Sequence, residues 1–432
     1  MHVSGSCRFA FASMLALGIV ATGCGANTGI PVPDLVPRDA GQPLVDAGPD
    51  AGVDAGVDCF DVPLDGGPVN ADMTLEAQVG RADVVLLIDI TSSMQEEIDQ
   101  IRSRLRDRIA PAIREAIPDS QIAVTTHADF PRSPYGQPGR DEPFSLVTPS
   151  TQDIARVQAA VDSIRLGSGV DPPESQVEAL FQIATGAGLS GFIAPSGGCP
   201  SGGVGYACVR RDALPVILLF TDEVMHNGPN ASVPNAYDPF ILGVSPHTFD
   251  DASAELQRIG ARVIGFDSGE GAGAPDLRTI AVRTGTVDGF GRPLVFDIGS
   301  RADRLTDEVV GAVRTFASTV VQDVDAVIRD ADSSDGVDAR MLVEAIVPLS
   351  ATPMDGIGSI DTSTNTFVDV VAGTMLSFQV VTRAGIVVPG AEPRIVRAEV
   401  VFRGNGRTRI GSQIVLLVIP AADGRGCDAL GL

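Results

Sequence analysis

Two hydrophobic periods divide the chain. From about Arg81 to Ser318, short runs that are apolar on both faces alternate with stretches apolar at every third or fourth residue. The segments "DVVLLIDI", "LPVILLFTD" and "ARVIGFDSG" read as buried strands, and "SQIAVTTHA" and "PLVFDIG" as further strands. Between them, "MQEEIDQIRSRLRDRIAPAIREAI" carries Ile98, Ile101, Leu105, Ile109 and Ile113 at helical spacing. "TQDIARVQAAVDSI", "PESQVEALFQIATG", "DDASAELQRIG" and "ADRLTDEVVGAVRTFAS" are helical by the same test. This alternation predicts an α/β fold with a doubly wound, mostly parallel sheet. Beyond Thr319 the period drops to two, in "QDVDAVIRD", "RMLVEAIVP", "TFVDVVAG", "TMLSFQVVT", "RIVRAEVVFRG" and "RIGSQIVLLVIP". That pattern predicts a small all-β, immunoglobulin-like sandwich. The acidic "DADSSDGVD" near Asp330 fails as an EF-hand loop, with Gly336 one place late and no Glu at the twelfth position, so a hairpin turn is expected there.

The amino terminus has another character. "FAFASMLALGIV", Phe9 to Val20, is too short an apolar run to span a bilayer and suits the core of a signal peptide. It ends in "ATGC", which resembles a bacterial lipoprotein processing site. Residues 1–23 are therefore expected to be removed and Cys24 to be lipidated; an ordinary secretory peptide cut nearby is the competing reading. Residues 24–79 are expected to form an acidic Gly/Pro/Asp-rich tether, with "DAG" four times, and an entry strand at "DMTLEAQVG". The α/β domain is placed at 80–320 and the β-sandwich at 321–432. Export follows, with lipid anchoring at the outer membrane or cell surface and membrane contact through the N-terminal lipid only. Cys59, Cys199, Cys208 and Cys427 would then meet an oxidising compartment, where four cysteines allow three pairings.

Charge narrows the function. The 432 residues carry a net charge of −24, and every basic residue is Arg, His aside. Such a chain is a poor match for nucleic acid, whose phosphates need a positive surface.

Candidate chemistry gathers at the carboxyl ends of the predicted strands, where open α/β sheets place their sites. The first strand ends in Asp89, Thr91 and Ser93, a later loop offers Asp171 and Glu174, and "PVILLFTDE" ends at Asp222. All are oxygen donors, which suit a hard cation such as Mg²⁺, Mn²⁺ or Ca²⁺ and not zinc.

The Asp-x-Thr-x-Ser run with a distant Asp after an apolar strand resembles the metal-ion-dependent adhesion site of von Willebrand factor type A domains, a Rossmann-like fold. Three stretches are most similar to the I-like domain of integrin β subunits: "DFPRSPYG" at Asp129, "VDPPE" at Val170 and "FTDEVMH" from Phe220 to His226. The resemblance covers about Ala82 to Ser318. It implies Asp89, Thr91, Ser93, Glu174 and Asp222 as ligands of Mg²⁺ or Mn²⁺, with Thr91 and Ser93 direct, Asp89 and Asp222 through water, and Glu174 from the side. It implies a second ion at Glu96 and Glu97, although Ser93 and Glu96 also have capping-box spacing. It implies a third at Asp129, Asp171, the Pro173 carbonyl and Glu174, with Ca²⁺ at these flanking sites. There Gly169 replaces the family's Asn, so one ligand is lost. The loop "GQPGRDEPFSLVT" lacks the family's cysteines, so partner choice does not carry over.

Cys199 and Cys208 stand nine apart in a Gly-rich loop that closes easily, and a Cys199–Cys208 bond is expected. A Cys59–Cys427 bond would staple the entry segment to the C-terminal domain, resembling the integrin arrangement in which the I-like domain is inserted within a sandwich domain. The function expected from all this is a surface-anchored, cation-dependent adhesion lipoprotein that binds an acidic side chain of a protein ligand. The alternatives are a structural envelope protein with a stabilising ion and, below it, a metal-assisted hydrolase. No H-E-x-x-H or G-x-S-x-G occurs, so no enzyme is expected. Replacing Cys24 with Ser should release the protein from membranes without lowering its melting temperature. Retention of the variant in salt-washed membranes would refute the lipid anchor.

Overall fold

A computed structural model of the protein describes residues 58–199, 202–229, 235–383 and 388–429. The signal segment, Cys24 and the acidic stretch through Val57 lie outside them.

The strands, in chain order, are β1 (Asp58–Asp61), β2 (Gly67–Glu76), β3 (Arg81–Asp89), β4 (Asp119–His127), β5 (Ser145–Thr151), β6 (Leu214–Thr221), β7 (Arg262–Asp267) and β8 (Val295–Asp297). They continue as β9 (Val321–Asp330), β10 (Val343–Thr352), β11 (Ser359–Asp361), β12 (Thr366–Val371), β13 (Met375–Thr382), β14 (Arg394–Gly404) and β15 (Thr408–Ile419). One sheet has the order β5-β4-β3-β6-β7-β8. Its pairs are parallel except β4–β5. Numbered from its own first strand, that order is 3-2-1-4-5-6, which reverses direction between β3 and β6.

The side-chain alternation of a strand explains the two covering layers. In β3, Val84, Leu86 and Ile88 join one buried cluster with Ile98, Ile101, Leu105, Val161 and Phe316. Val85 and Leu87 join another, with Val177, Leu180, Leu256 and Leu277. Each fully buried aliphatic side chain of this kind contributes about 2 kcal/mol of burial free energy, and from Ala82 to Asp89 every position of β3 is buried.

The sequence pattern misses two elements. Helix Ala274–Arg283 follows the glycines of "GEGAGAP", which read as loop. The edge strand β5 is half-exposed and contains Pro149. The long helix expected from Met94 is also divided, into Gln95–Arg104, a π-turn at Leu105–Ile109, and Ala110–Ala116. Pro111 stands in the first turn of the last piece, where its missing N–H costs least.

The β-rich part consists of two sheets, β1-β15-β14-β9-β12-β11 and β10-β13-β2, over a common apolar cluster. Phe378 bridges them, edge-on to Phe367 at 5.1 Å and tilted on Phe402 at 5.3 Å. The stretch expected as tether and entry strand supplies one strand to each sheet. Thus β1 pairs in parallel with β15 and β2 pairs with β13, so the α/β unit is an insertion between β2 and β9. The hairpin expected near Asp330 is absent: β9 and β10 lie in different sheets, and a helical turn at Ala339–Leu342, capped by Asp338, carries the chain across. Cys59 is bonded to Cys427 and Cys199 to Cys208. Two disulfides suit an exported protein, and among the described residues no helix is long and apolar enough to cross a membrane.

A charged network closes the amino-terminal edge of the parallel sheet. Arg210 donates from Nε to Asp83 Oδ1 (2.9 Å) and from Nη1 to Asp119 Oδ1 (2.6 Å), and Arg81 links Asp119 to Asp212. Asp83 is fully buried, and burial raises its pKa against the pull of Arg210. Removing the guanidinium strands that carboxylate in the core, a loss of about 3–5 kcal/mol. Arg210→Met should therefore shift the urea midpoint far more than Arg210→Met/Asp83→Leu, in which no charge is left behind.

Candidate metal centre

The reversal between β3 and β6 leaves a crevice at their carboxyl ends, and Asp89 and Asp222 stand on its two sides. Asp89 ends β3 and is fully buried. Its Oδ1 accepts from the Thr91 backbone N–H and hydroxyl, both at 2.9 Å, and its Oδ2 from the Thr221 hydroxyl at 2.8 Å. Gln176 Nε2 donates to Thr221 Oγ1 from behind, at 2.8 Å. Thr91 Oγ1 lies 3.2 Å from Ser93 Oγ, and Ser93 stands close enough to Asp222 to pull its pKa down against burial. The Asp-x-Thr-x-Ser run is thus curled by its own hydrogen bonds, so both hydroxyls and both aspartates meet.

Glu174 approaches from the Val170–Glu174 loop. Its backbone pairs with the chain after β6: Glu174 N–H donates to the Val224 carbonyl (3.0 Å) and His226 N–H to the Glu174 carbonyl (2.7 Å). Gly169 shapes this approach. Its φ is +59°, and a Cβ there would lie 2.7 Å from Glu174 Oε1 and 3.0 Å from Thr91 Cγ2. No side chain fits at 169, which is the physical reason the resemblance loses a ligand there. Gly269 is as tightly placed, since a Cβ would run into the Asp222 carbonyl.

The two tentative flanking sets are arranged differently. Glu96 is exposed, while Glu97 is buried and hydrogen-bonded to Ser268 beside Asp222. The pair does not converge. The capping-box alternative fails as well, because neither Thr91 nor Met94 caps the helix through its side chain and Ser93 is engaged with Asp222. In the other set, Asp129 is buried and Asp171 half-buried, and Pro173 is buried beside Glu174. Here the sequence reading missed His226, noted only as the end of a motif. Asp129, Asp171 and His226 each present a ligand atom within 4.8 Å of the others, a group able to hold a metal ion. The signal available was spacing: His226 follows Asp222 by four residues in a loop and not a helix, so periodicity could not aim it. Asp141 was also missed. It accepts from Gln137 N–H (2.7 Å) and Ser168 N–H (2.5 Å), and so ties the long loop to the Gly167–Gly169 stretch.

By donor type the first set suits a hard cation, although its three carboxylates do not present ligand atoms within 4.8 Å of one another as Asp129, Asp171 and His226 do. It offers two hydroxyls and three carboxylates, and Asp222 Oδ1 and Glu174 Oε2 are buried without a hydrogen-bond partner. An orphaned buried carboxylate oxygen is costly unless a cation or proton meets it.

The chain is similar to a von Willebrand factor type A protein. That protein is from Catenulispora acidiphila; the match has 12% identity over 85% of this chain and 72% of the other, with a TM-score of 0.37. A second match, proximal thread matrix protein 1 from the mussel byssus, has 15% identity over 59% of this chain and 51% of the other, with a TM-score of 0.32. At that distance neither likeness carries chemistry to this chain. No family model and no curated protein matches it.

Burial dominates the electrostatics. It pushes the pKa of Asp89 up to about 6, of Asp129 and Glu223 to about 7, and of Glu174 to about 12, where the carboxylates of Asp89, Asp129 and Asp171 add to it. His127, fully buried next to Asp222, is pushed down to about 3 by the same desolvation and is neutral. The folded, ion-free chain therefore holds protons that the unfolded chain has lost. Those carboxyls contribute stability that is fullest below their unfolded values near pH 4 and is lost as pH rises through their folded ones, about 6 to 7 for Asp89, Asp129 and Glu223 and about 12 for Glu174, while neutral His127 acts in the opposite sense below about pH 6.5. In EDTA the melting temperature should drop by several degrees between about pH 5 and pH 8, and excess Mg²⁺ should shrink that drop. A melting temperature that rises over this range in EDTA would contradict the assignment.

Proposed function

We propose that the protein is a divalent-cation-dependent binding module, exported and lipid-anchored through Cys24, that captures an acidic side chain of a partner protein. The observation that carries this reading is the hydrogen-bonded turn of Asp89, Thr91 and Ser93 at the sheet's reversal, with a buried oxygen of Asp222 and one of Glu174 left unpaired.

Thr91, Ser93, Asp89, Asp222 and Glu174 would hold Mg²⁺ or Mn²⁺. When bound, the ion supplies a Lewis-acidic position for an incoming carboxylate. The chain's own residues do the rest. Thr221 and the Thr91 N–H fix the Asp89 carboxylate, and Gln176 fixes Thr221. With neutral Thr91 and Ser93 as direct ligands and Asp89 and Asp222 acting through water, the ion would keep an open, Lewis-acidic position for an anionic ligand. In keeping with the motifs at Asp129, Val170 and Phe220, we read the α/β unit as integrin β I-like and its carrier as an immunoglobulin-like sandwich. The resemblance of these motifs to an adhesion site favours binding over turnover.

Asp222→Ala should lower Mg²⁺ or Mn²⁺ affinity at least tenfold, about 1.4 kcal/mol, and abolish cation-dependent capture of the partner from cell-surface extracts. It should leave the ion-free fold intact or slightly more stable, because one of several repelling carboxylates is gone. Calorimetry giving equal cation affinities for wild type and variant would overturn the site. Turnover of a substrate lost with the same variant would favour the hydrolase.

A further inference from the structure

Beside the proposed cation site lies a second constellation with different chemistry. His226 Nε2 is 3.2 Å from Asp171 Oδ2 and 3.5 Å from Asp129 Oδ2. His226 Nδ1 is 2.6 Å from the Asn235 carbonyl oxygen. A carbonyl only accepts, so Nδ1 carries the proton and donates it. In the neutral ring Nε2 then presents a lone pair to two carboxylate oxygens. Three acceptors facing one another need a cation or a proton between them.

The surroundings are built to hold that arrangement. Asp129 is fully buried, and its Oδ1 accepts from the Phe130 N–H (2.6 Å) and from the Tyr237 hydroxyl. Its Oδ2 has no hydrogen-bond partner and faces Nε2. Tyr237 also stacks on the His226 ring at 4.0 Å, and Tyr135 meets that ring edge-on at 5.2 Å. Asp129 and His226 are thus each oriented by partners of their own, as metal-binding side chains commonly are. Two donors held about 2.0–2.2 Å from one ion at a tetrahedral angle stand about 3.3–3.6 Å apart. The two histidine–aspartate separations match that span. Asp171 is 28% exposed and opens one side to solvent.

We propose that His226, Asp129 and Asp171 form a second metal site, one that selects a borderline transition ion, Zn²⁺ first, over Ca²⁺ and Mg²⁺. The imidazole decides the class. An all-oxygen set suits Ca²⁺ or Mg²⁺, whereas an imidazole nitrogen with two carboxylates and an open position suits Zn²⁺. Ca²⁺, the flanking ion implied by the sequence resemblance, would require more oxygens than Gly169 leaves. The proposal goes beyond the cation-dependent binding reading and does not need it.

The test is titration of the intact exported chain with Zn²⁺, and with Co²⁺ as a spectroscopic probe, in excess Mg²⁺. Wild type should take up one equivalent that Mg²⁺ does not displace, with Co²⁺ bands characteristic of nitrogen–oxygen coordination. His226→Gln and, separately, the more exposed Asp171→Asn should each weaken Zn²⁺ binding by at least tenfold and leave Mg²⁺ affinity unchanged. Asp222→Ala should do the reverse. If Zn²⁺ affinity survives both His226→Gln and Asp171→Asn, or disappears with Asp222→Ala, the ion sits at the first site and the proposal is overturned. If wild type binds no Zn²⁺, the proposal also fails, whatever becomes of the Mg²⁺ site. Far-UV spectra of each variant separate loss of a ligand from loss of the fold.

Discussion

Carboxylates gathered in a dry crevice repel one another, and the rest of the molecule is arranged around that repulsion. Asp89, Asp129 and Glu174 are almost without solvent. Inside a protein, unit charges a few ångströms apart interact several times more strongly than in water. A fold does not keep such a cluster for its own stability. The hydrogen bonds on Asp89 and Asp129 offset part of the cost, and protons offset more where pH allows. What remains is a standing affinity for positive charge, concentrated where the sheet reverses. The apolar strand β3 ends in Asp89, with Thr91 and Ser93 just beyond, where the chain reaches the crevice that on the proposed reading holds a cation.

The neighbouring loops follow from that requirement. Polar groups that bind must be held by something that does not itself need them, and here backbone performs that task. The Glu174 backbone is paired to the chain after β6, Gly167 N–H bonds to the Ile90 carbonyl at 2.7 Å, and Ser175 N–H to the Ala128 carbonyl at 3.1 Å. These contacts join the ends of β3, β4 and β6 without spending a ligand atom. Gly169 and Gly269 are glycines because backbone and carboxylate pass too close for a Cβ. Two constellations with different donors then share one frame: the hydroxyl-bearing set on the β3 side, and the histidine set where the Asp129, Asp171 and His226 loops cross.

How much of this was legible depended on whether a signal was local. Strands buried on both faces were plain, since β3 and β6 are apolar at nearly every position. The Asp89–Ser93 turn was legible because its three polar residues are near neighbours. The polar edge strand β5 carries no apolar alternation to see, and the glycines ahead of Ala274 hide a helix. Sheet membership of β1 and β2 depends on partners more than 300 residues away, Leu416 with Cys59 and Phe378 with Met73 among them. His226 is the clearest limit. Its position in sequence is fixed by the loop after β6, but its chemistry is fixed by Asp171, Asp129 and the Asn235 carbonyl, which come from three other places in the chain.

The insertion also decides where the site points. The α/β unit is entered at Arg81 and left at Val320, both at the amino-terminal edge of its sheet. There Arg409 N–H donates to the Asp212 carbonyl (2.8 Å), Arg262 donates to the Val321 carbonyl (3.3 Å), and Gly80 lies against the Ile410 carbonyl. The nine residues of β3 then carry the chain roughly 26 Å to Asp89, at about 3.3 Å per step. The cation sites therefore stand at the end remote from the β-rich part, clear of the surface that carries them. Under the proposed anchoring, load from the membrane enters at Asp58. There β1 runs parallel to β15 and is bonded through Cys59 to Cys427, so force passes along one edge of the β-rich part into its own last segment. Tension between that anchor and a partner held at the proposed site would run along β3, inside the parallel sheet.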